Sequence, residues 1–454
     1  MKNKTQKEMN ENETKKLDQD KLLFIYFHLV WYPFSFLSYS KPLFAHRSIP
    51  LVLSTYPYNR MWGGQASTYG VKFKARCLVA YNDEAGEEKT AERHLFMLGT
   101  TALREENEIH VLEYVEDTGN VECRQVFNHP SELWDVQPCP SDNRTLFTAY
   151  NTGSTMKGTL WGLPDPAEYL EEKDGGGGGG GRKSLEELVT LRDSSQAPIG
   201  AGVWDAEGCT EASKCLLTWS GPATASEEVF VWDVRGSAAS VKSKFDVAGR
   251  DARRGEGGGS GQCIVYTAAW DPHRPSSTIL AIDSDIVGWD VRDGSEKTAF
   301  SIPNAHGLSA RDVDFNPNKP YCFLSCGDDG KIKFWDFRKT ASPMKVLSGH
   351  SHWVTRAKFN PFHDQLVLSG SSDSTVGLWR AASISSAPLL ELEGEDSDGK
   401  DVADGVIRRF DEHEDSVYGL AWSICDAWVF ASLSYDGRFV VNHVPSAEKY
   451  KILL

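Results

Sequence analysis

The chain has 454 residues, 40% hydrophobic and 25% charged, with a formal net charge of −16. That balance is globular, and the length allows a large core or a domain built from repeats. With 48 Lys plus Arg against 64 Asp plus Glu, no broad basic face is expected, which excludes nucleic acid as the main partner and simple adhesion to anionic membranes.

In chain order, Met1 to Lys21 is polar and charged, and Leu22 to Phe44 is aromatic and apolar. Pro33, Pro42, His28 and several serines interrupt the apolar run, which counts against a membrane span of about 20 unbroken residues. The long charged lead, which carries many acids, and the absence of a small-x-small cleavage site fit a signal peptide poorly. Residues 1–60 therefore read either as a dispensable extension or as an anchor, ahead of a working domain at 61–454.

A repeat begins after Met61. Tyr69 to Tyr114 gives a first unit and His129 to Trp161 a second, and two further units end at Trp232-Asp233 and Trp289-Asp290. The clearest copies are His306–Arg338, His350–Arg380 and His413–His443. Each opens with His, runs into an alternating strand ending at Phe315, Phe359 or Trp422, and continues through a small-residue strand and an Asp turn. The spacing of the first two matches the ~40–45 residues of a WD40 blade. Seven short-stranded units predict an all-β, seven-bladed WD40 propeller with four-stranded antiparallel blades. Insertions at about 164–183, 236–261 and 391–405 are Gly-, Ser- or acid-rich and read as solvated loops. Tyr450–Leu454 is expected to form an outer strand that helps seal the ring.

Three polar sets resemble a catalytic His/Ser/Asp group: His306, Ser325, Asp329 with Trp335; His350, Ser369, Asp373 with Trp379; and His413, Ser432, Asp436 with Asn442 in the Trp place. A catalytic group occurs once. These recur blade by blade, so they are expected to be structural hydrogen-bond chains from Asp through His and Ser to the indole nitrogen. No metal or cofactor site is expected. His350, His352 and His363 lack further ligands, Glu395–Asp401 lacks the spacing of a calcium loop, and Gly175–Gly181 lacks the Lys-Ser/Thr of a phosphate loop. The nine cysteines, an odd number without a Cys-x-x-Cys pair, indicate reduced thiols rather than a disulfide or zinc framework.

Candidate interaction residues lie five positions after a repeat His, where the inner strand starts beside the central opening: Trp134, Arg311, Thr355 and Tyr418, with Trp353 nearby. Aromatic and Arg side chains there suit an interface, because they bury much area and keep a polar handle.

The blocks NAHGLSARDVDFNPNKPYCFLSCGDDGKIKFWD, HSHWVTRAKFNPFHDQLVLSGSSDS, HEDSVYGLAWSICDAWVFASLSYDGRFVVNHVP, YGVKFKARCL, LGTTALREENEIHVLE and HPSELWDV resemble, in order, the EARP and GARP complex-interacting proteins. The resemblance spans about Met61 to Leu454. It implies a non-enzymatic propeller that associates with subunits of the endosome-associated recycling and Golgi-associated retrograde tethering complexes. It further implies a role in endosomal recycling and retrograde traffic to the trans-Golgi network, and a cytoplasmic location with recruitment to those membranes through partners. No small-molecule substrate is implied. Residues 1–60, the poly-Gly run and Gly236–Gly261 depart from the family pattern.

A substrate receptor of a cullin-type ubiquitin ligase is the alternative, carried by Trp232-Asp233-Val234-Arg235, Trp289-Asp290-Val291-Arg292 and Trp335-Asp336-Phe337-Arg338. A propeller hydrolase would need inward acids or histidines from several blades, and the sequence displays no such recurring set.

Overall fold

The computed structural model describes residues 66–82, 93–103, 105–165, 182–206, 213–222, 228–247, 263–292, 298–386 and 404–453. The chain divides into Met1–Trp62 and Gly63–Leu454, and the described residues all belong to the second unit. Residues 1–60, most of the 164–183 and 391–405 insertions and part of 236–261 lie outside the described residues.

Short strands, the middle ones such as Arg93–Thr100, Cys322–Gly327 and Leu366–Ser371 buried almost throughout, pair antiparallel into seven sheets. Blade 1 holds Ala75–Tyr81, Arg93–Thr100, Asn107–Val115 and Asn120–His129, with Lys183–Ser184 added in parallel. Blade 2 holds Glu132–Cys139, Asp142–Asn151, Met156–Gly162 and Glu186–Thr190. Blades 3 to 6 begin with inner strands Ala201–Trp204, Val265–Trp270, Ala310–Phe315 and Val354–Phe359, and blade 7 begins with Val417–Trp422. Together they form a seven-bladed propeller.

The core lies between blades rather than within them. A twisted sheet with two apolar faces must bury both. Each of seven apolar clusters joins one blade to the next, such as Phe147, Leu160, Leu216 and Trp232 between blades 2 and 3, and Phe96, Leu98, Leu433 and Phe439 between blades 7 and 1. Trp232, Trp289 and Trp379 are fully buried at these seams.

Two expectations are corrected. The ring is sealed at the other end of the domain: Ser67–Gly70 pairs antiparallel with Arg438–His443, Ser67 opposite Val441, as the outer strand of blade 7. The C-terminus instead forms the helix Ser446–Leu453, whose Glu448 is buried and receives the Arg380 guanidinium. Pro445 caps the first turn by accepting from the Glu448 and Lys449 amides, and this helical start precludes a strand there. Gly437 is essential at the closure. Its φ is +87°, and a Cβ would stand 2.4 Å from the Phe73 carbonyl oxygen. The second correction concerns 236–261. Ala238–Asp246 is the outer strand of blade 3, pairing with Glu228–Arg235, with Ala239 packed on the core between blades 2 and 3 and Phe245 buried between blades 3 and 4.

Candidate functional site

Six of the seven inner strands break register at one equivalent place. The residue skipped by the ladder is Arg76, Trp134, Tyr266, Arg311, Thr355 or Tyr418. A bulge leaves one residue unpaired and re-aims its side chain. The sequence-predicted Trp134, Arg311, Thr355 and Tyr418 are therefore the bulged residues themselves, joined by Arg76 and Tyr266. All six are half-buried rather than fully exposed. Arg76, Trp134, Tyr266 and Tyr418 line a central channel of roughly 430 Å³.

These residues pair across blades. The Arg76 guanidinium lies 4.6 Å from the Trp134 ring centre and 5.0 Å from that of Tyr418, linking blades 2, 1 and 7. Arg311 lies 4.7 Å from Tyr266 and 5.5 Å from Trp353, and it donates to both Asp328 oxygens, at 2.6 and 2.7 Å. Thr355 places its hydroxyl 3.0 Å from the Gly370 carbonyl and also reaches that of Val417 in blade 7. Lys74 lies 4.5 Å from the Tyr435 ring centre, and Tyr435 packs on Tyr418. The result is a rim of cations laid on aromatic faces, an arrangement worth about 0.5–2 kcal/mol per contact. Burial raises the Glu132 pKa, although Asn151 donates to its carboxylate at 3.3 Å.

The repeated polar sets come together in two blades as complete chains. His306 Nδ1 donates to Asp329 at 2.9 Å, Ser325 donates to His306 Nε2 at 2.7 Å, and Trp335 Nε1 donates to Ser325 at 2.9 Å. In blade 6 the same links through His350, Asp373, Ser369 and Trp379 measure 3.1, 2.6 and 2.7 Å. The tautomers are those the networks require. Burial alone would raise the Asp329 and Asp373 carboxyls. The His306 and His350 hydrogen bonds, aided by the Gly307 and Ser351 amides, hold both well below the usual range. Blade 7 differs from expectation. His413 donates to Ser434, which donates to Asp436, so the carboxylate is reached through an inserted hydroxyl. Ser432 donates to His413 Nε2 at 2.7 Å, while Asn442 Nδ2 is buried without a hydrogen-bond partner. Threonine fills the serine place in two earlier blades: Thr148 joins His129 and Trp161, and Thr218 accepts from Trp232. Reading Thr as equivalent to Ser would have found them.

The channel wall carries charges that the sequence did not announce. Asp135 accepts from the Gly202 amide of the next blade at 3.0 Å, Asp312 from Ala357 at 3.2 Å and Asp314 from Phe359 at 2.8 Å. Each carboxylate thus caps the exposed edge of a neighbouring inner strand. Lys358 sits 3.2 Å from Asp312 and 3.7 Å from Asp314, and Arg356 3.4 Å from Asp312. Burial pushes the Asp314 pKa up to about 6 against the pull of Lys358. With their oxygens committed to amides, these acids are strand-edge caps. Among the described residues no group of three or more His, Cys, Asp or Glu could hold a metal ion, and no helix is long and apolar enough to cross a membrane.

A family profile described as the EIPR1 beta-propeller matches residues 63–379. The chain belongs to the EIPR1 beta-propeller family. Within the family match fall five of the six bulged residues, and the sixth, Tyr418, lies in a match to the WD domain, G-beta repeat, over residues 405–441. The chain is 36% identical over 406 residues to the human "EARP and GARP complex-interacting protein 1" and 39% identical over 398 residues to the Caenorhabditis elegans "EARP-interacting protein 1". It is 32% identical over 387 residues to the Arabidopsis thaliana "WD repeat-containing protein DWA2". Each alignment covers 85% of this chain and 98% of the relative.

Proposed function

We propose that this propeller is a non-enzymatic platform that binds subunits of the EARP and GARP tethering complexes through the bulged rim of its channel. The observation that carries the reading is likeness along the whole propeller to relatives named for that interaction, joined to a rim of Arg–aromatic pairs. Trp, Tyr and Arg dominate the energetics of protein interfaces, and here they stand on bulges rather than in the ladder. The protein acts in the cytoplasm and reaches endosomes and the trans-Golgi network through its partners, supporting recycling and retrograde traffic. Trp134, Trp353 and Tyr418 supply apolar area, Arg311 is fixed by Asp328 as a charged post, and Thr355 ties blade 6 to blade 7.

Affinity capture of tagged protein from its source cells, with mass spectrometry, tests this. Tethering subunits should accompany the wild type and be lost with a Trp353→Ala, Tyr418→Ala double variant that melts cooperatively. Their retention by that variant would move the interface elsewhere, and their absence from the wild type would remove the function.

A cullin-type ligase receptor is the second reading. It is favoured by three forks on consecutive blades, where the exposed Arg235, Arg292 and Arg338 clasp Asp233, Asp290 and Asp336 at 2.8, 2.6 and 2.6 Å. Two of these aspartates also accept their own turn's amide, from Arg292 and Arg338, so the forks have a local structural role. Capture of a cullin adaptor without tethering subunits would select this reading.

A further inference from the structure

Away from the channel, a second group of chemically active side chains gathers where the ring closes. His110 lies on Asn107–Val115, Cys123 on the adjacent Asn120–His129, and Tyr69 on the closing strand. Cys123 Sγ is 3.7 Å from His110 Nδ1, and the Tyr69 hydroxyl is 3.3 Å from the same nitrogen. On the far side of the ring, His110 Nε2 donates to Glu108 at 2.9 Å. Glu108 is paired in turn with Arg182. His110 and Glu108 are buried, whereas Cys123 is half-buried.

The arrangement is a thiol, a base within reach of it, and a carboxylate that orients the base. A pairing break supports the placement. The ladder passes from Val111–Gln125 to Leu112–Cys123 and skips Arg124, which turns instead to the buried Glu113. Because Nε2–H is committed to Glu108, Nδ1 presents its lone pair to Tyr69 at 3.3 Å and to the thiol at 3.7 Å, whose proton also has the Gln125 carbonyl within reach at 3.6 Å. Burial lowers the His110 pKa and raises that of Cys123. Both groups are therefore neutral near pH 7, the base able to take a proton and the thiol holding one.

We propose that Cys123 is a base-assisted nucleophilic thiol, a covalent modification site for small α,β-unsaturated carbonyl compounds. Sγ bonds to the β-carbon, and the carbon–carbon π pair shifts toward the carbonyl. The thiol proton passes to His110 Nδ1 and then to the α-carbon. The product is a saturated thioether, with no atom lost and no oxidant needed. An adduct on Cys123 occupies the space in which Tyr69 meets His110, so modification is felt at the closing strand. The inference is independent of the tethering interaction.

N-ethylmaleimide is the probe, used at limiting concentration on the full chain, with peptide mass spectrometry reading each cysteine over time. Cys123 should react about tenfold faster than the other half-buried thiols Cys215, Cys263 and Cys425. His110→Asn should abolish that advantage. Tyr69→Phe, which removes the competing donor, should raise the Cys123 rate, and Glu108→Gln should lower it several-fold. Thermal melting identifies any variant that fails to fold, and the two milder variants then decide. Equal rates at all four thiols, or an unaltered Cys123 rate in folded variants, overturns the proposal.

Discussion

Arg76 and Trp134 meet across the boundary between blades 1 and 2, with 4.6 Å between the guanidinium carbon and the ring centre. Tyr418 of blade 7 approaches the same guanidinium at 5.0 Å. One side chain therefore bridges three inner strands, including the pair on either side of the closing seam. A double-mutant cycle of Arg76→Gln with Trp134→Leu should show a coupling of about 1 kcal/mol in urea unfolding. Strict additivity would mean that the contact is incidental to stability.

The polar chains differ in what each serine satisfies. Ser325 and Ser369 each serve a buried indole N–H and a buried imidazole, whereas Ser432 serves His413 alone on that side. Ser325→Ala or Ser369→Ala leaves two buried groups unpaired and should cost about 2–3 kcal/mol. Ser432→Ala should cost about half as much. Urea midpoints of the three variants give the order, and a larger loss at Ser432 would contradict it.

Acid should weaken the fold through buried histidines. Burial lowers the pKa values of His94, His129 and His413 from 6.5 to about 4. Between those values the unfolded chain binds more protons than the native one, so stability falls as pH falls through 6.5 toward 4. Each residue contributes up to about 3 kcal/mol across the full window. Asp314 works in the opposite direction. Its folded pKa of about 6 exceeds the unfolded 3.8, so the native state takes up this proton first and gains stability as pH drops from 6 to 4. Asp314→Asn should therefore steepen the acid loss, measured as urea midpoints at pH 7, 5.5 and 4.5. A shallower slope in the variant would reverse the sign assigned to Asp314.

The two ends of the propeller should differ in weight. A chain starting at Val71 lacks the four-residue strand opposite Arg438–His443, while one ending at Glu448 keeps the carboxylate that receives Arg380. The first truncation should lower the melting temperature by several degrees more than the second, because it exposes a blade edge and part of the seam around Phe439. Calorimetry on both, against a chain starting at Ala66, ranks them.

Much of the fold was legible because a propeller repeats its chemistry at fixed spacing. His306, Ser325, Asp329 and Trp335 have counterparts at the same intervals in blade 6, and the position five residues past His marks the bulge in four blades. Arg76 and Tyr266 escaped because Val71 and Gly261 stand where the repeat His would be, leaving no marker to count from. A bulge is a property of pairing between strands, so no single strand's sequence declares it. The caps made by Asp312 and Asp314 on blade 6 were hidden for a related reason: each acid acts on an amide some 45 positions away. Gly-rich composition concealed Ala238–Asp246 within 236–261, and the apolar C-terminal residues read as well for a strand as for the helix they form.

The closing strand also sets an order of events. Ser67–Gly70 is the first strand of the domain to leave the ribosome, and its partner Arg438–His443 is the last. Until the final blade is made, the first strand has no ladder to join, and Tyr69 has no settled approach to His110. Pairing between such distant segments is entropically slow, so the ring is expected to shut as a late kinetic step. A newly made propeller is then exposed at one seam for as long as that step takes, and chaperone engagement or proteolytic nicking of nascent chains should concentrate there.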